Sequence, residues 1–220
     1  MQTNESQNSA ATPKLDPSDA RTKHKPGCHD HAAENYIRTV SGKMVHVYNP
    51  RPEEIILEDG VYALSHIPRF NGNTVELYPV LAHLIWCYRI AAHRFPGWKS
   101  LHKACLFHDF HEWITGDMAS PIKQYQPCYH SFERRHVEAH RIRFELSDGL
   151  AIRDFIKQID TEAFYIERHF LQNRSTYHIL LEYPRMPLHV EADTLRSLVE
   201  MNPETLRAMF HKIYSEEFCK

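Results

Sequence analysis

Apolar residues recur at intervals of three or four along most of this chain, and this spacing constrains the fold more than any other feature. One stretch closed by Pro96 and Gly97 carries it on Val80, Leu81, Leu84, Ile85, Tyr88 and Ile90. Such intervals place side chains on one face of a helix, whereas a strand needs strict alternation. The spacing predicts an all-α fold, with helices at 57–67, 80–90, 101–107, 129–146, 151–171 and 192–217 and one short strand at 44–48.

The first 34 residues differ from the rest in composition. Asn, Gln, Ser, Thr, Pro and Lys make up nearly half of them, and almost no apolar residue recurs at a helix or strand period. Such a segment cannot bury enough apolar surface to offset the entropy lost on ordering. The sequence therefore predicts a disordered tail at 1–34 and a single helical domain, a bundle, at 35–220.

Composition excludes several classes of function. Lys and Arg total 26 against 28 Asp and Glu, so the chain lacks the basic excess of proteins that bind nucleic-acid polymers. The apolar run 84–88 is far shorter than the roughly 20 residues that span a membrane. The sequence has neither GxGxxG nor GxxxxGK[ST], which argues against a dinucleotide fold or a P-loop. Five scattered cysteines without a CxxC, and no signal-peptide pattern, favour a reducing cytoplasm.

Histidine is abundant, with 17 residues, and two His-Asp pairs occur. His29-Asp30 lies in the polar tail, where it would bind metal only adventitiously. His108-Asp109 follows the apolar run 104–107, at the inner end of a predicted buried helix. Adjacent helical residues point about 100° apart, so one ion contacts both only if other elements complete its shell. Glu112, one turn later, is placed to orient or deprotonate a metal-bound water; spacing alone equally allows a capped helix end with a surface carboxylate.

Three blocks of sequence carry a family resemblance. They are LSHIPRFNGNT at 64–74, YPVLAH at 78–83 and HDFHEWITGD at 108–117. In this order and spacing they resemble the HD-domain nucleotide phosphohydrolases of the 5'-deoxynucleotidase type, a group that also includes phage dNTP and dATP triphosphohydrolases. The resemblance runs from about 45 to 171. It departs at 82–84, which read Ala-His-Leu where related chains usually have Glu-His-Ser, so the surroundings of the metal are expected to differ.

The resemblance implies a helical HD fold that holds a divalent cation, one of Co, Mn, Mg or Zn. Its ligands would be His83, the pair His108 and Asp109, and a distal aspartate. Asp160 is the favoured distal ligand, because the residues that follow it are similar to the family's last ligand helix. Asp193 is the alternative, although it is also explained as a carboxylate at a helix N-terminus.

The resemblance also implies the residues that handle substrate. Arg69 matches the family's phosphate-binding arginine, and a guanidinium grips two phosphate oxygens while staying charged. Phe70 would shape the sugar or base pocket, or serve only as a loop anchor. Glu112 and Asp117 would divide the positioning of the nucleophile and protonation of the leaving 5'-oxygen. Lys123 would reach further phosphates, or is simply a solvated charge.

The expected activity is hydrolysis of the 5'-phosphoester of a deoxynucleoside monophosphate, with a triphosphohydrolase as the alternative. A basic stretch could serve longer phosphates, but interleaved glutamates also suggest a solvated ion-pair face; its residues are Arg134, Arg135, Arg141 and Arg143. A non-catalytic nucleotide-binding regulator is the alternative of another class, and a zinc-organised interaction module is weaker because no cysteine pair brackets the histidines. The expected partners are a small-molecule nucleotide and further copies of the chain, as a dimer or higher homo-oligomer, with no nucleic-acid polymer and no membrane.

Overall fold

The computed structural model describes residues 35–172 and 192–219, and helices dominate them. The prediction of an all-α fold is therefore confirmed. The predicted disordered tail at 1–34 lies outside the described residues. The helices are α1 Leu57–Leu64, α2 Val80–Arg94, α3 Lys99–Phe107, α4 Glu112–Thr115, α5 Ser120–Lys123, α6 Pro127–Arg143, α7 Leu150–Leu171, α8 Ala192–Val199 and α9 Pro203–Phe218.

A two-stranded antiparallel hairpin precedes the helices. Strand β1, Tyr36–Arg38, pairs with β2, Met44–His46. The sequence predicts only the second strand, because β1 is three residues long and mostly exposed. Hydrogen bonds from the amide and hydroxyl of Ser41, at 3.0 and 2.7 Å, tie the hairpin to the Asp59 carboxylate on α1.

Helix α2 lies at the centre of the described core and packs against α3, α7, α8 and α9. It is apolar nearly all round, and a helix of that kind is buried on every side. Its buried residues include Val80, Leu81, Ala82, Leu84, Ile85, Trp86, Cys87, Ile90 and Ala91. His83 lies in the same run and is therefore fully buried. Within the described residues, no helix combines the length and apolar character needed to cross a membrane.

The single helix predicted at 192–217 is wrong, since the structure has two helices there. Helix α8 ends at Val199 and α9 begins at Pro203. Proline cannot donate the backbone hydrogen bond that would continue α8, but it suits the first turn of a new helix. The side chain of Asn202 caps α9 by accepting a hydrogen bond from the Thr205 amide at 2.8 Å.

Replacing Gly60 on α1 with Ala is expected to destabilise the protein by about 1–3 kcal/mol. A Cβ at this position would lie 2.4 Å from Cε1 of Phe110, a fully buried ring beside Asp109. The matched control is Gly149→Ala, because its Cβ would meet no heavy atom within 4 Å. The free energy of unfolding in urea measures both variants. Equal stabilities would contradict the tight packing of α1 on Phe110.

Candidate metal centre

Three helices bring four side chains to one point. His83 lies in the middle of α2, His108 and Asp109 directly follow α3, and Asp160 lies in the middle of α7. Nε2 of His83 is 3.2 Å from Nε2 of His108, 3.2 Å from Oδ1 of Asp160 and 3.8 Å from Oδ2 of Asp109. Nε2 of His108 is 3.3 Å from Asp109 and 3.7 Å from Asp160. Two donors that share a metal at about 2.0–2.2 Å lie at most about 4.4 Å apart, so all these separations are compatible with one ion.

These are the four residues that the family resemblance implies as ligands. Asp160, the favoured distal aspartate, lies within the cluster. The side chain of the alternative, Asp193, lies outside the described residues, as does the His29-Asp30 pair.

Cys87 adds a fifth donor that the sequence analysis missed. It lies one helical turn after His83, and its Sγ is 3.6 Å from Nε2 of that histidine. The donor atoms of His83, Cys87, His108 and Asp160 all lie within 4.8 Å of one another, a group that could hold a metal ion. Burial raises the pKa of the Cys87 thiol well above its usual value, so the group is neutral unless a cation displaces its proton. The i, i+4 spacing of His83 and Cys87 was the available sequence signal.

Glu167 on α7 orients His83, and sequence reasoning missed it as well. It is fully buried, and Nδ1 of His83 donates to its Oε1 at 2.6 Å, as does the Tyr78 hydroxyl at 2.8 Å. This tautomer, assigned from the hydrogen-bond partners, turns Nε2 toward the cluster. In the same way Nδ1 of His108 donates to the Cys105 carbonyl at 2.9 Å. Glu167 follows Asp160 by seven residues, so both lie on one face of α7.

The cluster attracts positive charge. Burial disfavours ionisation of Asp109, but His108 outweighs it and holds the pKa of this carboxyl well below its usual value. Burial also disfavours a charged His108, yet Asp109 and Asp160 outweigh it and raise its pKa well above the usual value. A proton and a metal ion would therefore compete for the same donor atoms. The affinity for the metal should decrease as the pH is lowered.

An open cavity of about 660 Å³ adjoins the cluster. Seven of the predicted site residues line it: Arg69, Phe70, Asp109, Glu112, Asp117, Lys123 and Asp160. Glu112 is buried, and its Oε2 has no hydrogen-bond partner among the described residues. Burial, together with Asp109 and Asp117, raises the pKa of Glu112 well above its usual value. The volume lies within the range of small-molecule sites.

Arg69 begins a strained turn at the wall of this cavity. Phe70 and Asn71 have φ of 56° and 52°, a left-handed conformation that side chains other than glycine rarely adopt. A hydrogen bond from the Arg69 amide to the Tyr78 carbonyl, at 2.9 Å, holds the start of the turn. Nε of Arg69 lies 3.3 Å from Oε2 of Glu167, so an ion pair fixes the guanidinium beside the cluster. Strain of this kind often marks functional sites.

Phe70 and Lys123 each have a protein partner at the cavity. The Phe70 ring stacks on Phe164 of α7, with centroids 5.8 Å apart, so it is both a cavity wall and a loop anchor. The Lys123 ammonium donates to Oε1 of Glu133 at 2.6 Å. This lysine is therefore not a freely solvated charge, although it lines the cavity.

A row of neutral histidines supports the helix that carries Glu112. Trp113 donates from Nε1 to Nε2 of His140 at 2.7 Å, and His140 donates from Nδ1 to the His136 carbonyl at 2.7 Å. Burial lowers the pKa of His140 to about 3 and that of His136 to about 4. Both rings are neutral at physiological pH.

Acidification is expected to destabilise the fold through His140. Because its folded pKa lies below the unfolded value of about 6.5, the unfolded state takes up the proton first, and stability is lost as pH falls from about 6.5. His140→Gln keeps an acceptor for Trp113 without this titration. Its free energy of unfolding in urea should therefore fall less between pH 7 and pH 5 than that of the wild type. An equal fall in both proteins would contradict a buried neutral His140.

Two known proteins are similar in sequence to this chain. The uncharacterized protein RCAP_rcc00048 of Rhodobacter capsulatus is 31% identical over 139 residues, which cover 59% of this chain and 69% of that protein. The chain belongs to its family. The uncharacterized protein YfdR of Escherichia coli is 28% identical over 101 residues, which cover 46% of this chain and about half, 53%, of YfdR. No family model matches the chain.

Proposed function

We propose that this chain is a divalent-metal-dependent phosphohydrolase of the HD-domain type. It cleaves the 5'-phosphoester of deoxynucleoside phosphates and releases the deoxynucleoside. The observation that carries the proposal is the position of the four-residue cluster at the edge of a cavity that also contains Arg69 and Glu112. A structural metal site is closed by protein ligands, whereas a catalytic site keeps a side open to substrate.

The residues that would hold the ion are His83, His108, Asp109 and Asp160. Two imidazoles and two carboxylates suit Mn²⁺, Co²⁺ and Zn²⁺, and the nearby Cys87 sulfur favours the softer of these. Once bound, such a cation would lower the pKa of a coordinated water and stabilise the negative charge that develops at the phosphoryl group.

Arg69 is the group that binds the phosphate. Its ion pair with Glu167 engages the Nε side of the guanidinium, and its Nη1 lies 3.9 Å from Oδ2 of Asp109. The guanidinium is therefore fixed beside the cluster before substrate enters. Two phosphate oxygens can then be gripped together, because the planar fork matches their spacing.

Glu112 and Asp117 handle the protons of the reaction. Burial raises the pKa of Asp117 as well as that of Glu112, so either carboxyl can hold a proton closer to neutral pH than an exposed acid. The oxygen of water forms a bond to phosphorus, the bond from phosphorus to the 5'-oxygen breaks, and the leaving 5'-oxygen takes up a proton. One group, as the carboxylate, accepts the proton of the water, and the other, protonated as the carboxylic acid, delivers its proton to the leaving oxygen.

Arg69→Ala is expected to raise KM for the nucleotide by about 10- to 100-fold, because a charge-assisted pair to the phosphate is removed. Arg69→Lys should recover little of this loss, since an ammonium cannot form the two parallel bonds. Steady-state kinetics measure the effect. Arg38→Ala removes an arginine on β1 and serves as the control. An unchanged KM in Arg69→Ala would contradict the assignment.

A product assay tests the proposed reaction. The protein is stripped of metal with a chelator, reloaded with each of Mn²⁺, Co²⁺, Mg²⁺ and Zn²⁺, and incubated with mono-, di- and triphosphates of all four deoxynucleosides. Early chromatography should show free deoxynucleoside as the direct product. Release together with tripolyphosphate identifies a triphosphohydrolase, and turnover of monophosphates alone identifies a nucleotidase. Accumulation of a nucleoside diphosphate, or no hydrolysis with any metal, would contradict the proposal and favour a nucleotide-binding regulator.

A further inference from the structure

The metal centre adjoins a second cavity. This cavity, of about 550 Å³, lies between α6 and α7 and is lined by His108 and Asp160 of the cluster. Asp160 also lines the first cavity, so each cavity borders the cluster. The proposed hydrolysis uses only the first of them.

The basic stretch of α6 contributes to this second cavity with two of its four arginines. Arg134 and Arg141 line the cavity. Arg135 instead donates to Oδ1 of Asn49 at 2.8 Å, and Arg143 donates from Nε to the Ile55 carbonyl at 3.0 Å. Two arginines of the stretch, Arg135 and Arg143, therefore bind other parts of the fold, and the other two line the cavity.

Within the described part of the chain, two cations of the cavity have no counter-ion. Arg153 and Lys157 on α7 also line it, but Arg153 pairs with Asp148 and Arg141 pairs with Glu138. Among the residues that the structure describes, Arg134 and Lys157 form no ion pair with a carboxylate. With Asp160 occupied by a metal ion, these two charges make the cavity suited to an anion.

We infer that the cavity between α6 and α7 binds the distal phosphates of a nucleoside polyphosphate, through Arg134 and Lys157. This inference rests on the proposed function. If the nucleoside occupies the first cavity and the reacting phosphorus lies at the cluster, a longer phosphate chain must extend away from the nucleoside. The second cavity borders the cluster through His108 and Asp160, and its two cations outside the described ion pairs lie on both flanking helices. The site makes polyphosphates better ligands than monophosphates.

The test compares two double variants by calorimetry in the presence of Mn²⁺. Arg134→Glu with Lys157→Glu reverses both cavity charges, and Lys43→Glu with Lys212→Glu reverses two cations that line neither cavity. Tripolyphosphate should bind at least about tenfold more weakly to the cavity variant than to the wild type, because two charge-assisted contacts are lost. Orthophosphate affinity should change less than about twofold, and the control should bind both anions as the wild type does.

Unchanged tripolyphosphate affinity in the cavity variant would overturn the inference, as would an equal loss of orthophosphate affinity. Arg134→Gln with Lys157→Gln is measured alongside, so that the comparison stands if charge reversal unfolds the protein. Binding does not depend on turnover, so the two proposals can fail separately. Selective loss of tripolyphosphate binding in a protein that hydrolyses no nucleotide would overturn the proposed function and support the anion site.

Discussion

Glu112→Gln is expected to lower turnover by about 10² to 10⁴-fold while the protein keeps its metal. The amide matches the carboxyl in size but can neither accept the proton of water nor deliver one to the leaving oxygen. Glu112 is buried at the cavity wall, and its Oε2 has no hydrogen-bond partner among the described residues, so the substitution breaks no hydrogen bond of that atom there. Steady-state kinetics and elemental analysis of bound metal together check the prediction.

The control for Glu112 is Glu204→Gln, an exposed carboxylate in the first turn of α9. Turnover of this variant should equal that of the wild type. Near wild-type turnover in Glu112→Gln would contradict its role in proton transfer. Loss of the metal together with turnover would instead make Glu112 part of the metal-binding set.

His108→Ala is expected to remove both bound metal and turnover. Nε2 of His108 lies 3.2 Å from the other imidazole of the cluster and 3.3 Å from Asp109, so its loss leaves a gap in the donor set. Elemental analysis after gel filtration gives the metal content, and the product assay gives the turnover.

His102→Ala is the matched control for His108. It removes a buried histidine within α3, whose Nε2 donates to the Phe95 carbonyl at 2.8 Å, away from the cluster. This variant should keep its metal. If His108→Ala kept it too, another group such as the His29-Asp30 pair would be holding the ion.

The described fold was largely predictable from local pattern. Intervals of three and four residues locate α2, α3, α6 and α7, because helical periodicity is a property of neighbouring residues. The break between α8 and α9 also had a local signal, since Asn202 precedes Pro203. The apolar pattern continues across these two residues and therefore concealed the signal. Strand β1 had no such signal, because its pairing with β2 depends on a partner elsewhere in the chain.

The candidate site was predictable only where residues carried a recognisable motif. The family resemblance named His83, His108, Asp109 and Asp160, and the structure brings their donor atoms together. No role was predicted for Glu167, although it lies on the same helix face as Asp160. Its role depends on how α7 crosses α2 and the turn at Arg69, and periodicity gives no crossing geometry.

The basic stretch of α6 was likewise ambiguous. In sequence its arginines and glutamates fit either an ion-pair face or a phosphate site. Packing separates them: Arg135 lies over the Tyr48 ring, with its Cζ 3.9 Å from the centroid, whereas Arg134 lines the second cavity. This division follows from tertiary structure, which the local pattern does not contain.

We propose that one cation is held by two histidines and two aspartates from three helices. X-ray data collected at a wavelength where Mn²⁺ scatters anomalously, from crystals grown with that ion, test it directly. We predict one strong peak about 2.0–2.3 Å from Nε2 of His83 and His108 and from a carboxylate oxygen of Asp109 and Asp160. A bound Mn²⁺ that lies elsewhere, or that leaves Asp160 outside its coordination shell, would contradict the claim.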